Sequence, residues 1–157
     1  MSKISAEALK IAVTQIGVHE EGGNNKGVKV GEYLSSVGLG QGYAWCQSFI
    51  YWCFKKASSN LAAANPVPKT AGVLAHWNTT IYGKKVAIPQ TGDLFVMDFG
   101  KGMGHIGFVE TVDLVNKTFT TIEGNSNDEG SREGYEVAHR TGKLSRKINT
   151  VKGFIRY

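Results

Sequence analysis

The chain has 157 residues, 41% apolar and 20% charged, an ordinary balance for a soluble globular protein with its own hydrophobic core. A net charge of +5 and a pI near 9.2 point to an anionic partner, whether nucleic acid, a membrane surface or an anionic polymer such as a cell wall, without selecting one. No apolar run approaches a transmembrane span, and the first residues interleave Ser5, Glu7, Lys10 and Thr14 with apolar ones, unlike a secretory signal.

In chain order, Ser5 is placed to cap a first helix running to about Gly17, with Leu9, Ala12, Val13 and Ile16 as its buried stripe. The loop from Val18 to Lys26 holds His19, Glu20, Glu21, Asn24 and Asn25, and reads as a solvated loop before it reads as a metal or acid–base site. Val28, Val30, Tyr33, Leu34 and Val37 predict a short second helix closed by Gly38 and Gly40. A third helix is expected from Cys46 to about Ser58, its apolar face carried by Phe49, Trp52 and Cys53. Asn65-Pro66-Val67-Pro68 is a rigid connector. Thr70 then reads as the cap of a short helix through Trp77, with His76 near its end as a partner for the helix dipole.

From about Lys85 the apolar spacing alternates. Gly92 to Phe99 and Gly104 to Val112 predict two strands joined by a hairpin at Gly100-Lys101-Gly102-Met103. Those glycines do not make a phosphate loop, because no helix follows them and the spacing is wrong. Further strands are expected over Lys117 to Glu123, near Tyr135 to Arg140 and over Val151 to Arg156. Helices first and strands after is an α+β pattern with an antiparallel sheet.

The chemistry-bearing residues lie on these elements. Cys46 and Cys53 on one helix would stand about 10 Å apart, too far for a disulfide, so both are expected as free thiols, with Cys53 in the core. Neither zinc spacing nor a calcium loop is present, and no metal or cofactor is expected. Cys46 opens its helix, where free N–H groups and the helix dipole favour a thiolate. A nucleophilic thiol needs a base and a group to orient that base. His105 lies between Gly104 and Gly107, read as leaving open space around the ring, and Glu123 and Asn125, two apart on a neighbouring strand, would share a face. Taken singly, these residues read as a buried small side chain, a sheet histidine, a strand end and a turn residue. Their order in the chain is what joins them into one hypothesis.

Four stretches carry a family resemblance: Tyr43-Ala44-Trp45-Cys46-Gln47-Ser48-Phe49, Pro89 to Phe95, Gly104-His105-Ile106-Gly107-Phe108-Val109, and Thr121-Ile122-Glu123-Gly124-Asn125. In that order they resemble the CHAP family of cysteine, histidine-dependent amidohydrolases and peptidases. The resemblance covers roughly residues 18 to 157 of a single catalytic domain spanning 1–157, with the helix at 5–17 in front. It implies a papain-like α+β fold, a cysteine helix packed on an antiparallel sheet, and activity on peptidoglycan. It gives Cys46 the place of nucleophile, His105 that of base, Glu123 that of orienting residue and Asn125 that of a further polar group. The backbone N–H of Cys46, and Gln41 as in papain-like enzymes, would meet the oxyanion. Trp45, Tyr43 and Trp77 would line a groove, with the loop of Glu20, Glu21 and Asn24 as one wall. Gln47 departs from the family, which often has a small residue after the cysteine.

The expected protein is thus a thiol amidase or endopeptidase of the cell wall, made in the cytoplasm without a signal peptide and acting at the wall or periplasm as a monomer. A phage lysin or a delivered antibacterial effector, the latter with an immunity protein, fits that description; membrane insertion and nucleic acid do not. The competing readings are a cytoplasmic thiol amidohydrolase and a non-catalytic basic module binding wall or nucleic acid through Arg132, Arg140, Lys143, Arg146, Lys147, Lys152 and Arg156. Scattered cations of that kind usually form a solvated face, and no aromatic stacking platform accompanies them.

Overall fold

Residues 46–60 carry the apolar spacing that organises the molecule. In the computed structural model, which describes residues 1–127 and 134–157, they form helix α3 (Cys46–Asn60). Phe49, Ile50, Cys53, Phe54 and Ala57 are wholly buried along it. Helix α1 (Lys3–Thr14) and helix α2 (Val28–Ser36) pack on α3 from one side. Both thiols are free, and burial pushes Cys53 well above the usual thiol range. Among the described residues no helix is long and apolar enough to cross a membrane.

Helix α1 starts earlier than its sequence suggests. Ser2 is the cap, accepting the Ser5 N–H at 3.2 Å. Ser5 lies inside the first turn, buried, and donates its hydroxyl to the Tyr157 carbonyl at 3.2 Å. The buried stripe is therefore Ser5, Ala8, Leu9 and Ala12, an i, i+3, i+4, i+7 set, while Val13 and Ile16 face solvent. Helix α4 (Val73–Thr79) starts later than expected, with Gly72 at its cap; Thr70 instead accepts the Gly72 N–H at 3.1 Å in the preceding turn. His76 on α4 is fully buried rather than serving as a charged partner for the dipole. Burial pushes its pKa down to about 4, so the ring is neutral at pH 7.

The strands are β1 (Lys84–Val86), β2 (Leu94–Gly100), β3 (Met103–Asp113), β4 (Thr118–Ser126), β5 (Glu136–Arg140), β6 (Arg146–Lys147) and β7 (Gly153–Arg156). They form an antiparallel seven-stranded sheet of order β1-β7-β2-β3-β4-β5, with β6 paired to β4. Strands β1 and β6 had no sequence signal, because three and two residues are too few to alternate.

Alternation along β3 separates two apolar clusters. Ile106 and Phe108 join α3 in the larger one, whereas Val109 joins Phe95, Phe119 and Phe154 on the other face. His105 and Gly107 fall on the Val109 side by the same period of two. The helix that carries the cysteine and the face that carries the histidine are thus on opposite sides of β3, yet Cys46, the first residue of α3, lines the same cavity as His105.

Gly124 on β4 sets how closely α3 approaches. A Cβ there would come within 2.7 Å of the Phe49 Cβ, closer than packing allows. Gly124→Ala is expected to cost about 1–3 kcal/mol of stability by forcing the helix away from the strand, read as a fall in the urea midpoint at constant m.

Candidate active site

Cys46 is 6% exposed at the first turn of α3, where no side chain caps the helix. It opens onto a cavity of about 510 Å³ that is also lined by Gly104, His105, Asn125, Arg140 and Arg146. His105 Nε2 bonds Glu123 Oε2 at 2.7 Å, and Cys46 lies near enough to the same ring to raise its pKa. Cysteine and glutamate thus both act on one imidazole. Burial alone would lower the His105 pKa, but the hydrogen bonds and charges of Cys46 and Glu123 outweigh it and hold the ring up at about 9. At neutral pH the ring is an imidazolium beside the sulfur.

Glu123 is wholly buried and fully subscribed. Its Oε1 accepts Thr121 Oγ1 at 2.5 Å and Arg146 Nε at 2.5 Å. Its Oε2 accepts His105, Arg146 Nη2 at 2.6 Å and Ser126 Oγ at 3.1 Å. Burial pushes this carboxyl up, and the Arg146 and His105 bonds pull it further down, so it stays ionised well below the usual carboxylate range. Arg146 also lies over the Phe95 ring, its guanidinium carbon 4.9 Å from the centroid.

The glycines flanking His105 do not leave empty space. A Cβ on Gly107 would meet Glu123 Cγ at 2.8 Å and the Phe95 ring at 2.6 Å, and one on Gly104 would meet Val73 Cγ1 at 3.1 Å. Gly107 is what lets Glu123 pack beneath the histidine. Asn125 adopts a left-handed backbone, φ 53°, at a break in the β4–β5 register between Glu123 and Ser126. Strict alternation therefore does not reach Asn125, yet the turn still leaves it on the cavity wall beside Cys46 and His105.

Other residues singled out in the sequence lie away from this cavity. Trp45 is completely buried, stacked on Tyr33 with ring centroids 5.6 Å apart, and its indole N–H donates to Glu20 Oε1 at 2.9 Å. That bond uses Glu20 to anchor the 18–26 loop and leaves no face of Trp45 for a ligand. Gln41 accepts the Gly27 N–H at 2.9 Å. Tyr43 and Asn24 are exposed, and Tyr43, Asn24, Glu20, Gln41 and Trp77 are all absent from the cavity lining. Trp77 instead lies under Lys85, 4.9 Å from its ring centroid. Gln47, the departure from the family pattern, points away from the cavity into the interior. Its Oε1 meets His76 Nδ1 at 2.8 Å, and His76 Nε2 meets the Tyr157 hydroxyl at 2.7 Å. The approach to the thiol is therefore left to Ala44, Asn125 and the residues of the 71–73 and 99–104 segments.

The sequence reading did not place Arg140, Arg146, Thr121 or Ser126 around Glu123. One signal for a cation was present: a glutamate on a buried strand requires a countercharge. Which of the C-terminal cations supplies it depends on the two-residue strand β6 and was not legible. Those cations are not all solvated: Arg146 holds Glu123, and Arg156 grips Asp93 through two bonds of 2.9 and 2.8 Å. Arg132 lies outside the described residues. Among the described residues no three His, Cys, Asp or Glu side chains cluster as a metal site.

With the geometry established, known proteins provide a reference. A solved structure, that of Ly7917, has a TM-score of 0.53 to this chain at 18% identity, covering 97% of this chain and 61% of its own, a likeness of fold. The chain thus spans about three-fifths of that structure's length. No curated protein matches the chain. The CHAP domain family matches residues 38–125, a span that contains Cys46, His105, Glu123 and Asn125. The four helices on an antiparallel sheet are consistent with the papain-like fold of such domains. This chain belongs to the CHAP domain family, a family of amidase- and peptidase-type hydrolases of peptidoglycan.

Proposed function

We propose that the protein cleaves an amide bond of bacterial peptidoglycan by acyl transfer through Cys46, either as an N-acetylmuramoyl-L-alanine amidase or as an endopeptidase of the stem or cross-bridge. The observation that carries this reading is Cys46 and His105 on one cavity, with Glu123 bonded to the ring from behind and the imidazolium held up at about 9. The thiolate attacks the amide carbonyl, and the backbone N–H of Cys46 at the uncapped start of α3 faces the oxyanion. His105 gives its proton to the leaving amine, then takes one from the water that hydrolyses the thioester. Glu123 keeps the ring oriented and charged, and Asn125 offers a polar contact at the cavity wall. The basic surface suits an anionic polymer, and the same reaction would serve a phage lysin or a delivered antibacterial effector.

The test is mass spectrometry of purified peptidoglycan after incubation with the wild-type protein and with Cys46→Ala. New fragments from wild type alone are expected, and their masses name the bond. Intact wall with both proteins, and co-sedimentation without cleavage, would replace this reading with a wall-binding module.

A further inference from the structure

Arg140 lines the same cavity as the thiol, and the carboxylate it pairs with, Glu123, is shared with His105 and Arg146. Glu123 already accepts five hydrogen bonds, from Thr121, Ser126, His105 and both arms of Arg146. A carboxylate has about four lone-pair positions, so no acceptor capacity remains. Arg140 Nε accordingly stands off at 3.8 Å from Glu123 Oε1, beyond hydrogen-bond distance. That nitrogen is buried without a hydrogen-bond partner. Among the described residues, one hydrogen bond holds the guanidinium, Nη1 to the Asn127 carbonyl at 2.8 Å.

Charge bookkeeping in the cavity points the same way. Among its described lining residues, Arg140, Arg146 and the His105 imidazolium are cations. Glu123, just behind the wall, is the described carboxylate that all three share. Of the three, Arg140 stands farthest from it. The cavity wall also presents Ser126 and Asn125, small polar groups suited to a hydrogen-bonded ligand.

We infer that Arg140 forms a carboxylate-recognition subsite beside Cys46, selecting peptides that carry a free carboxylate next to the scissile amide. This inference rests on the hydrolase reading for its substrate class and goes further, assigning the charge of the substrate. The terminal N–H groups of a planar guanidinium match a carboxylate in geometry and charge, whereas a neutral carboxamide offers one acceptor oxygen and turns its own NH2 donors toward them.

The experiment uses soluble wall peptides in two forms, native and with carboxyls converted to carboxamides by carbodiimide coupling to ammonia. Binding is measured by calorimetry to Cys46→Ala, and turnover with wild type. The native form is expected to bind roughly 10-fold to 100-fold more tightly, the scale of a charged hydrogen bond, with the difference in turnover appearing in KM rather than kcat. Adding Arg140→Gln should reduce binding of the native form to the level of the amidated form. Arg140→Lys, which restores the charge without the fork, should recover part of the preference. Equal binding of both forms by Cys46→Ala, or an unchanged preference after Arg140→Gln in a protein that circular dichroism shows to be folded, would overturn the subsite. Preserved binding preference with no cleavage by wild type would instead sink the hydrolase reading and leave the subsite standing.

Discussion

Cys46→Ala is expected to lower the rate of amide cleavage by roughly 10⁴-fold or more while leaving the fold intact, because it removes the group that forms the covalent intermediate. The side chain is small and sits at the end of α3, so its loss leaves little cavity. The same change has a second readout. Cys46 contributes both a hydrogen bond and a charge to the elevation of His105, which stands at about 9. Without the sulfur, burial is opposed by Glu123 alone, and the ring should titrate well below 9 by NMR. Cys46→Ser should behave similarly, since a hydroxyl stays neutral and offers no negative charge. Full turnover by either variant, or a His105 titration that does not move, would remove Cys46 from the role of nucleophile.

Glu123→Ala should be the most damaging substitution for stability, costing roughly 3–5 kcal/mol, because it leaves the Arg146 and His105 charges unpaired in a nearly closed site. Glu123→Gln keeps the shape and isolates the charge. Its largest effect should fall on His105, whose burial would then prevail and carry the pKa down from about 9 toward or below the ordinary 6.5. The pH dependence of stability follows from the two shifts. Glu123 is depressed from 4.5, so its contribution is present above that pH and fades as the pH falls. His105 is raised from 6.5 to about 9, so its contribution is complete below 6.5 and is lost as the pH rises through about 9. Wild type minus Glu123→Gln should therefore show the greatest stability difference between about pH 4.5 and 6.5, shrinking on both sides. Urea titrations across pH 3 to 10 would measure it, and a flat difference would mean that the pair is not coupled as the geometry indicates.

The elements that could be read before folding were those with a local cause. Helix α3 announced itself by apolar residues at helical spacing, and β2, β3 and β4 by alternation with a glycine hairpin between the first two. The errors arose where a local signal had a nearby rival. Ser2 and Ser5 are chemically equivalent caps three residues apart, and only the bond from Ser5 to the last residue of the chain, Tyr157, draws Ser5 into the interior. Thr70 and Gly72 pose the same choice at α4. His76 resembled a dipole partner because its two hydrogen-bond partners, Gln47 and Tyr157, come from distant parts of the chain.

Cys46, His105, Glu123 and Asn125 could be named from sequence because each sits in a short motif that resembles the family's, although the contacts those motifs serve, Gly107 making room for Glu123 and Gly124 admitting Phe49, join distant parts of the chain. What lies around them could not. That Trp45 turns inward to Glu20, that Gln41 is occupied by Gly27, and that Arg146 rather than another cation answers Glu123 are decided by long-range pairings. Sequence alone thus determined the α+β class and the order of elements, since periodicity acts over a few residues, and it proposed the reacting groups through their motifs. Only the tertiary structure decided which charges are paired, and that Arg140 stands off from Glu123 where Arg146 grips it, because charge compensation in a buried site depends on which strands meet and not on their distance along the chain.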